Sequence, residues 1–167
     1  MGEYILAALV EHKPGVLHKV SNMFRKRNFN IESITVGACE TRDIARMTIT
    51  IQGDEATVEQ VVKQLQKLVD VIKVSRLELG RSVVRELALV KIYTADSKAK
   101  SDVVNYATIF RGRIVDVSRD SMIIEITGSP TKIDAFVELV KPYGIKEFAR
   151  TGVVAMSRGL KSLKVEE

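Results

Sequence analysis

Apolar side chains recur along this chain at two spacings, and the switches between them mark out the elements. Tyr4–Val10 (YILAALV) is an almost unbroken apolar run of strand length, the pattern of a buried strand. Glu11-His12-Lys13-Pro14-Gly15 breaks it, and Pro14 suits the first turn of a helix. Val16, Leu17, Val20 and Phe24 then follow at helical spacing, which predicts a helix ending near Asn28. Asn30–Val36 returns to strand spacing, with Ile34 and Val36 two apart. In Ala45–Ile51, Met47, Ile49 and Ile51 alternate with Arg46, Thr48 and Thr50, which predicts a strand buried on one face only. After Gly53-Asp54, the residues Val58, Val61, Val62, Leu65, Leu68 and Val69 mark a second amphipathic helix, and Val71–Leu79 a fourth strand. The order is β-α-β-β-α-β.

The second half repeats that order. Arg85–Tyr93 reads as strand, Ser101–Phe110 as helix, Arg113–Val117 and Ser121–Thr127 as two strands, Pro130–Val140 as helix and Ile145–Phe148 as strand, with Gly152–Ser157 expected to extend it. At an offset of 75 residues, Arg46–Gly53 lies over Ser121–Gly128, and Val58, Val61 and Val62 fall over Ile133, Phe136 and Val137. Shared strand–Gly–helix punctuation points to two copies of one architecture. The expected fold class is therefore α+β, two ferredoxin-like βαββαβ domains, each an antiparallel four-stranded sheet with two helices on one face. The expected divisions are a first domain over 1–79, a linker at 80–84, a second domain over 85–160 and a tail at 161–167. Such a fold hosts many functions and decides none.

Composition narrows the classes. With 167 residues, 46% of them hydrophobic and 28% charged, the chain fits a folded globular protein and not a disordered one. No apolar run approaches the roughly 20 residues that span a bilayer, and Met1-Gly2-Glu3-Tyr4 lacks the basic start of a secretory signal. A cytoplasmic location is expected, and the single Cys39 fits a reducing compartment. One Cys and two His (His12, His18) cannot by themselves build an ordinary four-ligand zinc site. No phosphate-binding glycine loop and no Gly-x-Ser-x-Gly elbow is present, so no catalytic or metal site is expected. The net charge is +5, with 11 Lys and Arg against 10 Asp and Glu in residues 1–80, and 15 against 11 in 81–167. The densest basic cluster, Arg25-Lys26-Arg27, reads as the solvated end of a helix, where cations complement the dipole. An RNA-recognition module shares this fold, but it stacks bases on aromatics of its central strands, and Ala45–Ile51 has none.

The junction of the first strand and first helix carries the candidate chemistry. Gly15 at a helix mouth leaves backbone N–H groups uncrowded, a terminus able to hold a carboxylate. The Asn30 amide offers both donor and acceptor, enough to meet an amino acid's α-carboxylate and α-amino group. Val16, Leu17 and Ile31 are candidates to line a small aliphatic pocket. The plainer reading is a helix-entry turn and a turn asparagine.

These residues carry a resemblance. Val10–Leu17 is similar to the loop of ACT domains, the amino-acid-sensing ferredoxin-like modules. Asn30–Val36, Arg46–Ile49, Gln64–Val71, Glu86–Ile92, Ile109–Val117 and Arg150–Gly159 resemble, in order and across nearly the whole chain, the regulatory small subunit of acetolactate synthase. The resemblance implies a chain with no activity of its own and no cofactor of its own. Its partner would be a catalytic subunit that uses thiamine diphosphate, Mg²⁺ and FAD to condense two pyruvates, or pyruvate with 2-oxobutyrate, on the way to valine, leucine and isoleucine. It further implies stimulation of that subunit, feedback inhibition by valine, and a homodimer of N-terminal ACT domains with valine at the two-fold interface. Carried over, the effector loop is His12, Lys13, Pro14, Gly15, Val16 and Leu17, and the second contact is Asn30 and Ile31 of a neighbouring protomer. His12 stands where the family often has Asn or Asp. The outer strand faces and the Arg42–Arg46 turn in the first domain are candidates, by position only, for the surface toward the catalytic subunit, with neither nucleic acid nor membrane expected as a partner. The alternative function is a stand-alone ACT-type amino-acid sensor without a fixed enzyme partner.

Overall fold

The computed structural model describes residues 2–165. They divide into two compact units, one holding the chain up to Val84 and again from Val153, the other Arg85–Gly152. In the first unit, β1 (Gly2–Glu11), α1 (Val16–Lys26), β2 (Ile31–Ala38), β3 (Ile44–Gly53), α2 (Glu55–Gln66) and β4 (Val71–Leu77) follow in the anticipated order. The sheet order is β2-β3-β1-β4. β1 and β3 pair antiparallel from Gly2↔Gly53 to Glu11↔Ile44. Leu6, Ala8, Val10, Met47, Ile49 and Ile51 face the helices, which bring Val20, Phe24, Val61 and Leu65 to the same core. Phe24 meets Phe29 edge to face, with ring centroids 6.4 Å apart.

β1 is apolar and buried from Ile5 to Val10 because both faces of the sheet are covered there. After Gly152, which turns at φ 84°, the chain forms β9 (Val154–Ser157) within the first unit. Val153 and Ala155 join Ile5, Ala7 and Leu77 in a second cluster, with Val84 and Leu163 packed against it. The Thr35 hydroxyl donates to the Val153 carbonyl at 2.9 Å, and Arg46 Nη2 to the Ala155 carbonyl at 2.8 Å. Two expectations are corrected here. Thr48 and Thr50, the cross-strand partners of Ala7 and Ile5, are each 2% exposed, so β3 is buried on both faces. Gly152–Ser157 does not extend the last strand of the second domain, because its alternating apolar residues cover the first sheet. In the described part of the expected tail at 161–167, Leu163 packs on the same cluster; residues 166 and 167 lie outside the described residues.

The second unit repeats the plan with the Arg85–Tyr93 part of β5 (Ser82–Tyr93), then α3 (Ser97–Ile109), β6 (Arg113–Val117), β7 (Ser121–Gly128), α4 (Pro130–Val140) and β8 (Ile145–Arg150), in sheet order β6-β7-β5-β8. Ala88, Val90, Ile92, Ile124, Ile126, Ile133 and Phe136 centre its core. The expected linker at 80–84 is a short 3-10 turn, Leu79–Arg81, running straight into β5, the strand with which β9 pairs. Among the described residues, three of four α-helices start on a side-chain cap: Asp54 accepts from the Thr57 N–H at 2.8 Å, Asp96 from Ala99 at 2.8 Å and Ser129 from Lys132 at 3.3 Å. Those caps start α2 and α3 earlier than apolar periodicity alone suggests.

Candidate functional site

The exception is α1. Its N-cap is Gly15, at φ 86° and ψ −11°, with no side-chain hydrogen bond and no acidic residue in the first turn. That left-handed conformation suits glycine, and a Cβ built there would meet nothing within 4 Å. The helix therefore presents uncapped N–H groups and the positive end of its dipole to open space.

The loop before it is tied down at several points. The His12 N–H donates to the Asp43 carbonyl at 2.8 Å, and the Lys13 N–H to the Glu11 carbonyl at 3.1 Å. From the turn before β4, the Asp70 carbonyl accepts from the Glu11 N–H at 2.9 Å. The Asp70 carboxylate, 3% exposed, accepts from Lys13 Nζ at 2.7 Å and from Lys19 Nζ at 2.5 Å. These two ammonium groups, Lys13 first, hold the Asp70 carboxyl down at about 2. Lys13 also pairs with Glu11, and the two carboxylates, Asp70 first, hold its ammonium above the ordinary lysine value. One buried carboxylate thus clamps the loop to the first turns of α1.

The expected site residues divide by role. His12, Lys13, Pro14, Gly15 and Leu17 are exposed around the helix mouth, Leu17 by 49%. Val16 is 3% exposed and belongs to the helix-side core, so its side chain anchors α1 and leaves only its backbone at the helix mouth. Lys13 is committed to Asp70 and Glu11, a clamp more than a ligand contact. Asn30 is exposed, its amide donating to Glu32 Oε1 at 2.7 Å, and Ile31 is half-buried. One chain does not bring these last two to the loop. Ile31 lies opposite Ile51, itself opposite Tyr4, whereas the loop leaves from Glu11. Seven residue steps at roughly 3.3 Å separate them by about 23 Å. Asp70, Lys19 and Asp43 were not singled out from sequence. Asp70 stands 57 residues from Lys13, and only tertiary structure makes them neighbours.

Among the described residues there is no group of three or more His, Cys, Asp or Glu placed to hold a metal, and no helix long and apolar enough to cross a membrane.

Known proteins match over both units. A family model for the ACT domain of the acetohydroxyacid synthase small subunit matches residues 6–73, and one for the small subunit of acetolactate synthase matches residues 85–159. A probable acetolactate synthase small subunit of Methanothermobacter thermautotrophicus is 55% identical over 160 residues, 96% of this chain and 95% of that one. The chain belongs to the acetolactate synthase small-subunit family. A small subunit of Mycolicibacterium smegmatis is 47% identical, over 93% of this chain and 91% of its own. The crystal structure of the Thermotoga maritima small subunit aligns with a TM-score of 0.89 at 45% identity, covering 95% of this chain and 99% of that one. The fold is accordingly the two-domain α+β, ACT-like fold of acetolactate synthase small subunits, and membership supports a regulatory-subunit role. The second family match runs to residue 159, although packing places Val153 onward in the first unit.

Proposed function

We propose that this chain is the non-catalytic regulatory partner of a thiamine diphosphate-dependent acetolactate synthase subunit, raising its activity and making it sensitive to valine. Valine binds where the α1 N-terminus of one protomer meets Asn30 and Ile31 of a second. The observation that carries this reading is the open α1 mouth: of the four α-helices among the described residues, the one entered through the family's Pro-Gly loop lacks a side-chain cap and projects from a clamped loop. Free N–H groups at a helix start receive a carboxylate without a dedicated lysine. Leu17 and Ile31 offer apolar surface to the isopropyl group, and Asn30 offers a donor and an acceptor to the amino-acid head. The sheet-length separation within one chain supports a second set of contacts from another copy. A ligand held between two copies binds one dimer packing better than another, which is what a feedback signal needs.

The test is Gly15→Asp. It sets a carboxylate where the valine carboxylate sits. Two unit charges about 4 Å apart near a protein surface repel by about 4 kcal/mol, roughly a thousandfold in Kd. Valine inhibition of the reconstituted enzyme is expected to vanish while stimulation of the catalytic subunit persists. Undiminished valine inhibition in the variant overturns the site.

A further inference from the structure

The basic cluster at the end of α1 is part of a larger feature. α1 carries Lys19, Arg25 and Lys26 and no Asp or Glu, and Arg27 follows as its C-terminal cap. The groove between α1 and α2 is lined by Lys19, Met23, Lys26, Arg27, Lys67 and Leu68, and continues along α2 past Lys63. No lining residue is acidic. Lys19 is committed to Asp70, and Lys63 lies 3.8 Å from Glu59. Lys26, Arg27 and Lys67 form no ion pair among the described residues. Among the described α-helices the others all carry carboxylates, Glu55 and Glu59 on α2, Asp102 on α3, Asp134 and Glu138 on α4, so the absence is particular to α1 and to the groove lining.

A dipole argument accounts for a cation in the last turn of a helix. It does not account for a surface helix without a carboxylate, since ordinary exposed helices intersperse opposite charges at three- and four-residue spacing. Nor does it account for an apolar floor, which Met23, 8% exposed, and half-buried Leu68 supply. Cations gathered over an apolar floor fit a partner of opposite charge with apolar residues of its own. No aromatic side chain lines the groove, so the stacking that single-stranded nucleic acid uses has no platform.

We propose that the α1–α2 groove receives an acidic amphipathic segment of the catalytic subunit, its apolar side chains on Met23 and Leu68 and its carboxylates against Lys26, Arg27 and Lys67. This rests on the regulatory reading above and adds where and by what chemistry the two subunits meet. Complementary charge of this kind steers encounter and weakens with salt.

The experiment measures the affinity of the full-length chain for the purified catalytic subunit at low and high salt, for wild type, Lys26→Glu/Lys67→Glu and the milder Lys26→Gln/Lys67→Gln. Both positions are exposed and lie outside the effector loop. Each variant is expected to keep its fold and the valine-induced rise in melting temperature. The charge-reversed chain is expected to bind about tenfold more weakly at low salt, with the gap closing at high salt and the Gln variant between. Wild-type affinity in the reversed variant at both salts overturns the proposal. So does an equal loss at both salts, which marks a structural effect. So does salt-sensitive retention of single-stranded RNA by the groove with catalytic-subunit affinity unchanged. If wild type itself fails to bind the catalytic subunit, the regulatory reading falls and takes this one with it. Failure of the charge comparison alone leaves that reading standing.

Discussion

Val153→Ala tests whether the returning C-terminal segment belongs to the first sheet. Val153 is 3% exposed against Ile5, Ala7 and Leu77, whereas its neighbour Val154 is 54% exposed. Removing two buried methyl groups at about 0.8 kcal/mol each gives about 1.6 kcal/mol, and an unrelaxed cavity brings the total to about 2. For a chain of this size that lowers the melting temperature by about 4–8 °C. Val154→Ala, one residue along and facing solvent, should stay within about 0.5 kcal/mol of wild type. Denaturant melts measure the two costs, and amide hydrogen exchange locates them. Protection is expected to fall at Thr48, Thr50 and Ile5, in the first unit, and to hold at Ile124 and Ile126, in the second. Equal costs for the two valines, or lost protection centred on Ile124 and Ile126, would refute the assignment of β9 to the first unit.

Gly15→Ala separates backbone strain from charge at the α1 mouth. With open space around the added methyl group, the cost is the left-handed conformation itself, about 1–2 kcal/mol by denaturant melt, and valine binding survives to a degree that Gly15→Asp does not allow. Asp70→Asn removes a pH dependence of defined sign. Because Lys13 and Lys19 lower the folded carboxyl from 3.8 to about 2, their stabilisation is complete above pH 3.8 and is lost as pH falls through 2. Wild-type stability should therefore drop across that window more steeply than the variant's in melts at stepped pH, and parallel curves would contradict the clamp.

Much of this architecture is legible in the apolar pattern. The strand–helix order follows from two spacings, and the Gly53-Asp54 and Gly128-Ser129-Pro130 breaks fall at observed helix starts. The pattern does not say what covers a face. Thr48 and Thr50 read as solvent-facing because threonine tolerates either environment, and their cover arrives from a segment more than 100 residues away. Val153 and Ala155 alternate like any edge strand, so sequence cannot tell which sheet they join. At the site, Pro14-Gly15 is a local signal and was readable. Asp70 was not, since a carboxylate in a turn is ordinary until tertiary structure sets two lysines on it. The separation of Asn30 from the loop likewise needs the strand register, which puts one at each end of the sheet.

A valine site shared between two copies is best tested in a mixed dimer. Gly15→Asp and Asn30→Ala chains, differently tagged, are co-purified as a heterodimer and titrated with valine by calorimetry. If each site takes its loop from one protomer and Asn30 from the other, one site of the heterodimer carries both substitutions and the other carries neither. One wild-type-affinity valine per heterodimer is expected, and none in either homodimer. A heterodimer as silent as the Gly15→Asp homodimer would contradict it.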